Sequence, residues 1–148
     1  SKNGLALRTN LSKLRSQGRT ATGVTGMRLA ENDILVGVTI VDEKSDLLVI
    51  TENGYGKRMD YSEFSAKGRG GKGMTYLKIT DKNGPAVGVV SVSQEDEVII
   101  IAVSGMVIRV NASEISKVGR ATVGVKVVNI KEDDKAQDFA IISEREDE

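Results

Sequence analysis

The sequence predicts an all-β, propeller-like repeat of four-stranded blades, about 50 residues per repeat, arranged as an incomplete ring. Three observations carry this. Gly4, Gly54 and Gly105 stand 50 and 51 residues apart, and so do Arg8, Arg58 and Arg109. The same offsets relate Ser12, Ser62 and Ser113, the apolar Leu14, Phe64 and Ile115, the pairs Gly18-Arg19, Gly68-Arg69 and Gly119-Arg120, and finally Gly23, Gly73 and Gly124. Second, the runs Ile34 to Val41 and Glu97 to Val103 are rich in β-branched residues, which pack well on a pleated surface. Third, no segment shows a sustained helical period.

The middle copy is complete and sets the plan. Asp46 to Glu52 reads as a strand, Asn53-Gly54 as a tight type I′ turn, and Tyr55 to Asp60 as the returning strand. Tyr61 to Phe64 follows as a short turn, and Lys67 to Gly73 as a Gly-rich loop. Met74 to Ile79 and Ala86 to Val92 then read as a second hairpin around Asp81 to Pro85. The third copy repeats this plan, with Ser104-Gly105 as its first turn and Lys131 to Lys135 as its second. The first copy opens at Asn3-Gly4, without a preceding strand. The organisation is thus one repeat domain over residues 1–143, with blades at about 1–45 (incomplete), 46–94 and 95–143, and an acidic tail at 144–148. The Ser-Lys-Asn-Gly start, with no Met, suggests a processed chain or a piece of a longer one. Fewer than three full blades do not close a ring, so either further blades lie upstream or copies associate.

At 148 residues the chain is too short for a multidomain enzyme, and its apolar runs are too short to span a membrane. It holds no Cys and no His, which removes thiolate chemistry, disulfides and the commonest general base. No pairing of Tyr55, Tyr61 or Tyr76 with a base suggests a nucleophile, so no catalytic residue, metal or cofactor is assigned to this chain. The acidic groups at 31–33, 95–97 and 132–134 read as turn chemistry rather than cation sites.

Net charge is zero, from 21 basic and 21 acidic residues, but the signs are segregated. Residues 4–29, 54–79 and 105–130 carry +5, +4 and +3, whereas 30–53, 80–104 and 131–148 carry −5, −3 and −5. In a stack in register, each basic half recurs at the same place on each blade, giving a band that a duplex phosphate backbone can follow. The loop Lys67-Gly68-Arg69-Gly70-Gly71-Lys72-Gly73 concentrates that chemistry, because glycines admit a phosphate to the backbone while Arg69 and Lys72 supply charge. It lacks the Ser/Thr and following helix of a nucleotide-binding P-loop.

Several motifs together closely resemble the C-terminal domain of bacterial DNA gyrase A, over essentially the whole chain to about Ser143. They are the run Asn53 to Arg58, Ser-Glu-Phe at Ser62 to Phe64, Ser-Glu-Ile at Ser113 to Ile115, Gly-Arg-X-X-X-Gly-Val at Gly18 to Val24 and Gly119 to Val125, and Arg-Gly-Gly-Lys-Gly at Arg69 to Gly73. The resemblance implies a β-pinwheel whose basic outer edge wraps duplex DNA and presents it for ATP-dependent negative supercoiling by the whole enzyme, a type II topoisomerase. This chain looks like its last three blades. Lys67 and Gly68 stand where the family's hallmark box has Gln and Arg. The topoisomerase IV counterpart and a protein-interaction propeller without nucleic acid are the alternative readings.

The expected phosphate contacts are Arg8, Arg19, Lys57, Arg58, Lys67, Arg69, Lys72, Arg109 and Arg120, with Gly70, Gly71 and Gly73 admitting the backbone. The resemblance implies as partners duplex DNA, largely without sequence preference, the remainder of gyrase A, and gyrase B. It also implies a place in the bacterial cytoplasm at the nucleoid, with no membrane and no catalysis by this piece alone. The tail at 144–148 is expected to be disordered, or to compete with phosphates for the basic edge.

Overall fold

In the computed structural model, which describes residues 1–143, the β-branched runs form strands and the repeats stack as successive sheets. The acidic tail lies outside the described residues. The strands are β1 Leu5–Ala6, β2 Asp46–Thr51, β3 Tyr55–Asp60, β4 Met74–Thr75, β5 Ala86–Val92, β6 Glu97–Ala102, β7 Val107–Asn111, β8 Val125–Lys126 and β9 Ala136–Ile142. Short 3₁₀ turns at Leu11–Lys13, Tyr61–Glu63 and Ala112–Glu114 follow β1, β3 and β7. The side chains of Asn10 and Asp60 cap the first two, each accepting from a backbone N–H two residues on at 2.9 Å. The fold is all-β and the ring unclosed.

The middle sheet has four strands in the order β5-β2-β3-β8, all antiparallel. Its fourth strand belongs to the third repeat, because β3 pairs with β8 at Tyr55↔Lys126 and Gly56↔Val125. The same exchange joins repeats one and two through β1 and β4, at Leu5↔Thr75 and Ala6↔Met74. This corrects the expectation of a second hairpin between Met74–Ile79 and Ala86–Val92. Only Met74 and Thr75 are strand, and β5 pairs with β2 instead. Two features turn the segment away from its own blade. Tyr76 and Leu77 are consecutive and both fully buried, which a half-buried strand does not allow. At Gly73 a Cβ would stand 2.5 Å from the Ala6 carbonyl oxygen, so the backbone there lies directly against the preceding repeat.

The first hairpin also differs in its turn. Glu52, Asn53 and Gly54 form a three-residue loop closed by Gly54 N–H to Thr51 O at 3.0 Å. Gly54 takes φ +82°, whereas no non-glycine residue has positive φ among the described residues, so the turn is type I with a left-handed glycine rather than type I′. Asn53 is occupied in tying turns together. Its amide donates to Asp81 O and Lys82 O at 3.1 and 3.2 Å, and its oxygen accepts from Lys135 Nζ at 2.6 Å.

Alternate side chains of β2 enter two cores. Leu47 and Val49 join Met59, Tyr61, Phe64, Tyr76, Leu77 and Ala86, while Leu48 and Ile50 join Val98, Ile100, Ile115 and Val128 from the third repeat. All six residues of β2 are therefore buried, whereas β6 at the end of the stack alternates between buried and half-buried. Ile34 to Val41 forms no strand, although its sequence favours one. No repeat mate of β2 lies beside it among the described residues, and Val38 and Ile40 are 79% and 68% exposed.

Candidate nucleic-acid interface

The four-stranded and three-stranded sheets each run from acidic-half strands to basic-half strands, and the two-stranded sheet joins two basic halves, so the charge segregation of the sequence becomes spatial. In the middle sheet β5 forms one edge and β8 the other, and the Gly-rich loop precedes the donated strand of its repeat. That loop lies against the first repeat. Lys67 N–H donates to Arg8 O at 2.8 Å, Gly70 N–H to Gly26 O at 2.6 Å, and Arg28 N–H to Gly71 O at 2.9 Å. Residues Lys67 to Met74 with Ala6, Leu7 and Arg8 line an open groove of about 550 Å³. Lys67, Arg69 and Lys72 are exposed around it. Among the described residues, no carboxylate forms an ion pair with any of these three, nor with Arg19.

Arg69 and Arg120 occupy the same place in successive repeats. Arg69 Nη1 donates to Thr25 O at 3.3 Å, and Arg120 Nη1 to Thr75 O at 2.8 Å, where Thr25 and Thr75 are themselves repeat mates. Each guanidinium thus spends one donor on the preceding repeat, and its fork has further donors to offer. Arg19 is fully on the surface in the first repeat.

The remaining sequence candidates divide differently. Arg58 is 4% exposed, and its Nε donates to Ile115 O at 2.8 Å while Nη1 pairs with Asp46 at 3.0 Å. Arg8 does the same for the other junction, donating to Tyr61 O at 2.9 Å and Phe64 O at 3.3 Å and pairing with Glu43. The repeated arginine is therefore a clamp on the 3₁₀ turn of the following repeat. Arg109, with no following repeat to hold among the described residues, pairs with Glu97 at 3.3 Å and stays exposed.

Lys57 also leaves the set of accessible cations. It is completely buried, with Nζ donating to Gly119 O at 2.8 Å, Arg120 O at 2.7 Å, Thr122 O at 3.0 Å and Thr122 Oγ1 at 3.1 Å. A phosphate cannot reach it. Burial pulls its pKa down to about 8, with Glu63 opposing the fall and Arg120 adding to it. The folded value lies below the ordinary 10.5, so the folded state binds fewer protons above pH 8 and stability rises with pH in that window. The unfolding free energy of the parent chain relative to Lys57→Met is expected to rise by on the order of 1 kcal/mol between pH 8 and 9.5. Chemical denaturation at both pH values checks this, and a flat difference refutes it.

The acidic turn residues serve the fold. Asp134 accepts from Ser104 N–H and Lys135 N–H, and a hydrogen bond from Ser104 Oγ holds its carboxyl below the usual range. Asp33, its mate in the first repeat, accepts from Asn3 N–H and Ile34 N–H.

Two features escaped sequence reasoning. Arg28 is exposed and bonded through its backbone to the Gly-rich loop, a proximity that only the strand exchange creates. A second groove, of about 320 Å³, is lined by Lys82, Lys126, Lys131 and Lys135 with Tyr55 and the carboxylates of Asp81, Glu132 and Asp134. Lys82 Nζ stands 5.7 Å from the centre of the Tyr55 ring. Its lysines belong to two separate turns and a strand, so no contiguous motif announces it.

Comparisons with known proteins agree on one family. A family model described as "DNA gyrase C-terminal domain, beta-propeller" matches residues 1–42, 45–93 and 96–143. DNA gyrase A of Staphylococcus epidermidis is 38% identical over 143 residues, 95% of this chain and 16% of that protein. DNA gyrase A of Aminobacterium colombiense is 39% identical over 98% of this chain and 18% of its own length. The chain therefore spans less than a fifth of these relatives. A solved DNA gyrase A C-terminal domain superposes with TM-score 0.88 at 33% identity, covering 96% of this chain and 48% of that one. The C-terminal domain of DNA topoisomerase IV superposes equally well, at TM-score 0.88, with 24% identity over 95% of this chain and 44% of its own, and so shares the fold.

Proposed function

Because this chain belongs to the DNA gyrase C-terminal domain family, we propose that it binds and bends duplex DNA without sequence readout, along the edge that carries its Gly-rich loops. In the whole enzyme this would present a DNA segment for ATP-dependent negative supercoiling. The partners would be the remainder of gyrase A, and gyrase B, in the bacterial cytoplasm at the nucleoid. The observation that carries the reading is the set Lys67, Arg69 and Lys72, exposed around one groove and free of carboxylate partners among the described residues. Arg19 and Arg120 extend it to the neighbouring repeats.

The chemistry suits a wrapped phosphate backbone. Bending 20 to 30 base pairs by 40 to 90° costs roughly 1 to 6 kcal/mol, which many modest contacts spread along an edge offset better than one tight site. Guanidiniums contribute charge that does not titrate, and the glycines at 70 and 71 keep side chains out of the phosphate's approach, whereas Gly73 is required by its close contact with Ala6 of the preceding repeat. The proposed contacts are to phosphates, so the specificity of this reading is for duplex shape and charge.

Arg69→Ala combined with Lys72→Ala is expected to weaken binding to random-sequence duplex about tenfold or more at low salt. The slope of log affinity against log salt should fall by about 2, since roughly one unit follows each lost phosphate contact. Gel-shift titrations at several salt concentrations measure both. Unchanged affinity and slope would favour a protein-binding surface and sink the reading.

A further inference from the structure

We infer that Lys57 is a positioning residue for the DNA edge: its buried ammonium sets the Gly119–Thr122 loop so that Arg120 is held for phosphate contact. The inference rests on the duplex-binding reading above.

Lys57 is not demanded by the fold. Its repeat mates are Leu7 and Ile108, both apolar, on strands or strand edges that follow the same path. A charge placed where an apolar side chain serves elsewhere carries a desolvation cost, so its use must come from what it holds. All four of its acceptors belong to one loop of the next repeat, at 2.7 to 3.1 Å.

Comparison of the two loops shows what the ammonium replaces. Beyond a tie that both loops share, Lys67 N–H to Arg8 O and its mate Val118 N–H to Arg58 O, the second-repeat loop is held to the first repeat by two more backbone hydrogen bonds, Gly70 N–H to Gly26 O and Arg28 N–H to Gly71 O. The third-repeat loop has the mate of the second bond, Lys78 N–H to Thr122 O at 3.0 Å, but no mate of the first among the described residues. Lys57 instead ties this loop to the second repeat through three of its carbonyls, those of Gly119, Arg120 and Thr122. Arg120 N–H donates to Glu63 Oε1 at 3.3 Å, and the Arg120 guanidinium reaches Thr75 O. Glu63 and Arg120 are the charged groups that bear on the ammonium, the first favouring its charged form and the second opposing it.

The test is a double-mutant cycle on random-sequence duplex, with the parent chain, Lys57→Met, Arg120→Ala and both together, each first checked for folding by circular dichroism. Each single change is expected to weaken binding about three- to tenfold, and the double variant to bind no worse than Arg120→Ala, because both act through one loop. A merely structural lysine would instead give multiplied losses. As an independent readout, affinity of the parent chain should fall from pH 7.5 to 9 while that of Arg120→Ala stays level, and this needs no Lys57 variant. Parent-like binding by folded Lys57→Met, multiplied losses, or equal pH profiles would overturn the inference. Arg69→Ala/Lys72→Ala serves as the control: if it binds like the parent, the duplex-binding reading fails rather than the role of Lys57.

Discussion

Asp46→Ala is expected to destabilise the chain by about 3 to 5 kcal/mol, the range for removing one partner of a buried ion pair. Asp46 is 9% exposed and meets two cations, Arg58 Nη1 at 3.0 Å and Lys117 Nζ at 2.8 Å, the latter also touching Asp60 at 3.2 Å. Alanine would leave the Arg58 guanidinium in the interior with one carbonyl partner and no counter-charge, and would release Lys117 to the exposed Asp60 alone. The loss should spread across the junction, because Arg58 Nε also holds Ile115 O and its backbone N–H donates to Ser116 O at 3.0 Å. The third repeat supplies the control. Glu97 and Arg109 are the mates of Asp46 and Arg58, but their side chains are 36% and 61% exposed, so Glu97→Ala should cost about 0 to 1 kcal/mol. Urea unfolding of both variants decides it; equal losses would mean that burial of the pair contributes nothing.

Part of this architecture is legible in the sequence. The 50-residue offset locates equivalent residues, and β3 and β5 run as the residue types suggest, over Tyr55–Asp60 and Ala86–Val92. What the offset does not encode is whether a strand pairs within its own repeat or with the neighbour, because both arrangements keep the same spacing. The exchange of β4 and β8 was hidden for that reason. The adjacent burial of Tyr76 and Leu77 was the available warning, since neighbouring large apolar residues fit a crossing segment better than an alternating strand.

The cations divide by a similar rule. Lys67, Arg69 and Lys72 sit among glycines, where no core exists to receive them, and they are exposed. Lys57 sits in a column whose other members are Leu7 and Ile108, and the column is the signal that its side chain points inward. Arg58 and Arg109 each follow an acid by 12 residues, Asp46 and Glu97, which makes them diagonal neighbours across the hairpin. Counting those basic residues as free charge overstated the edge, although the Gly-rich loop keeps its surplus.

The glycines of the hairpin turns offer the sharpest separation of local conformation from packing between repeats. Gly54 and Gly105 are repeat mates with nearly the same backbone, φ +82° and +89°. Gly54→Ala would place a Cβ 2.5 Å from Val128 O, whereas at Gly105 nothing lies within 4 Å. The carbonyl at Val128 cannot withdraw cheaply, because Val127 N–H and Val128 N–H both donate to Gly54 O, at 2.9 and 3.2 Å, and so pin the segment leaving β8 to the turn. Alanine at 105 should therefore cost only the left-handed conformation, about 1 to 2 kcal/mol. Alanine at 54 adds the clash, for a total of about 3 to 5 kcal/mol, and should loosen β3 from β8. Urea unfolding gives the two costs, and amide exchange at Val127 and Val128 reports the joint directly. If both substitutions cost the same and those amides stay protected, the contact between successive repeats is softer than this geometry requires.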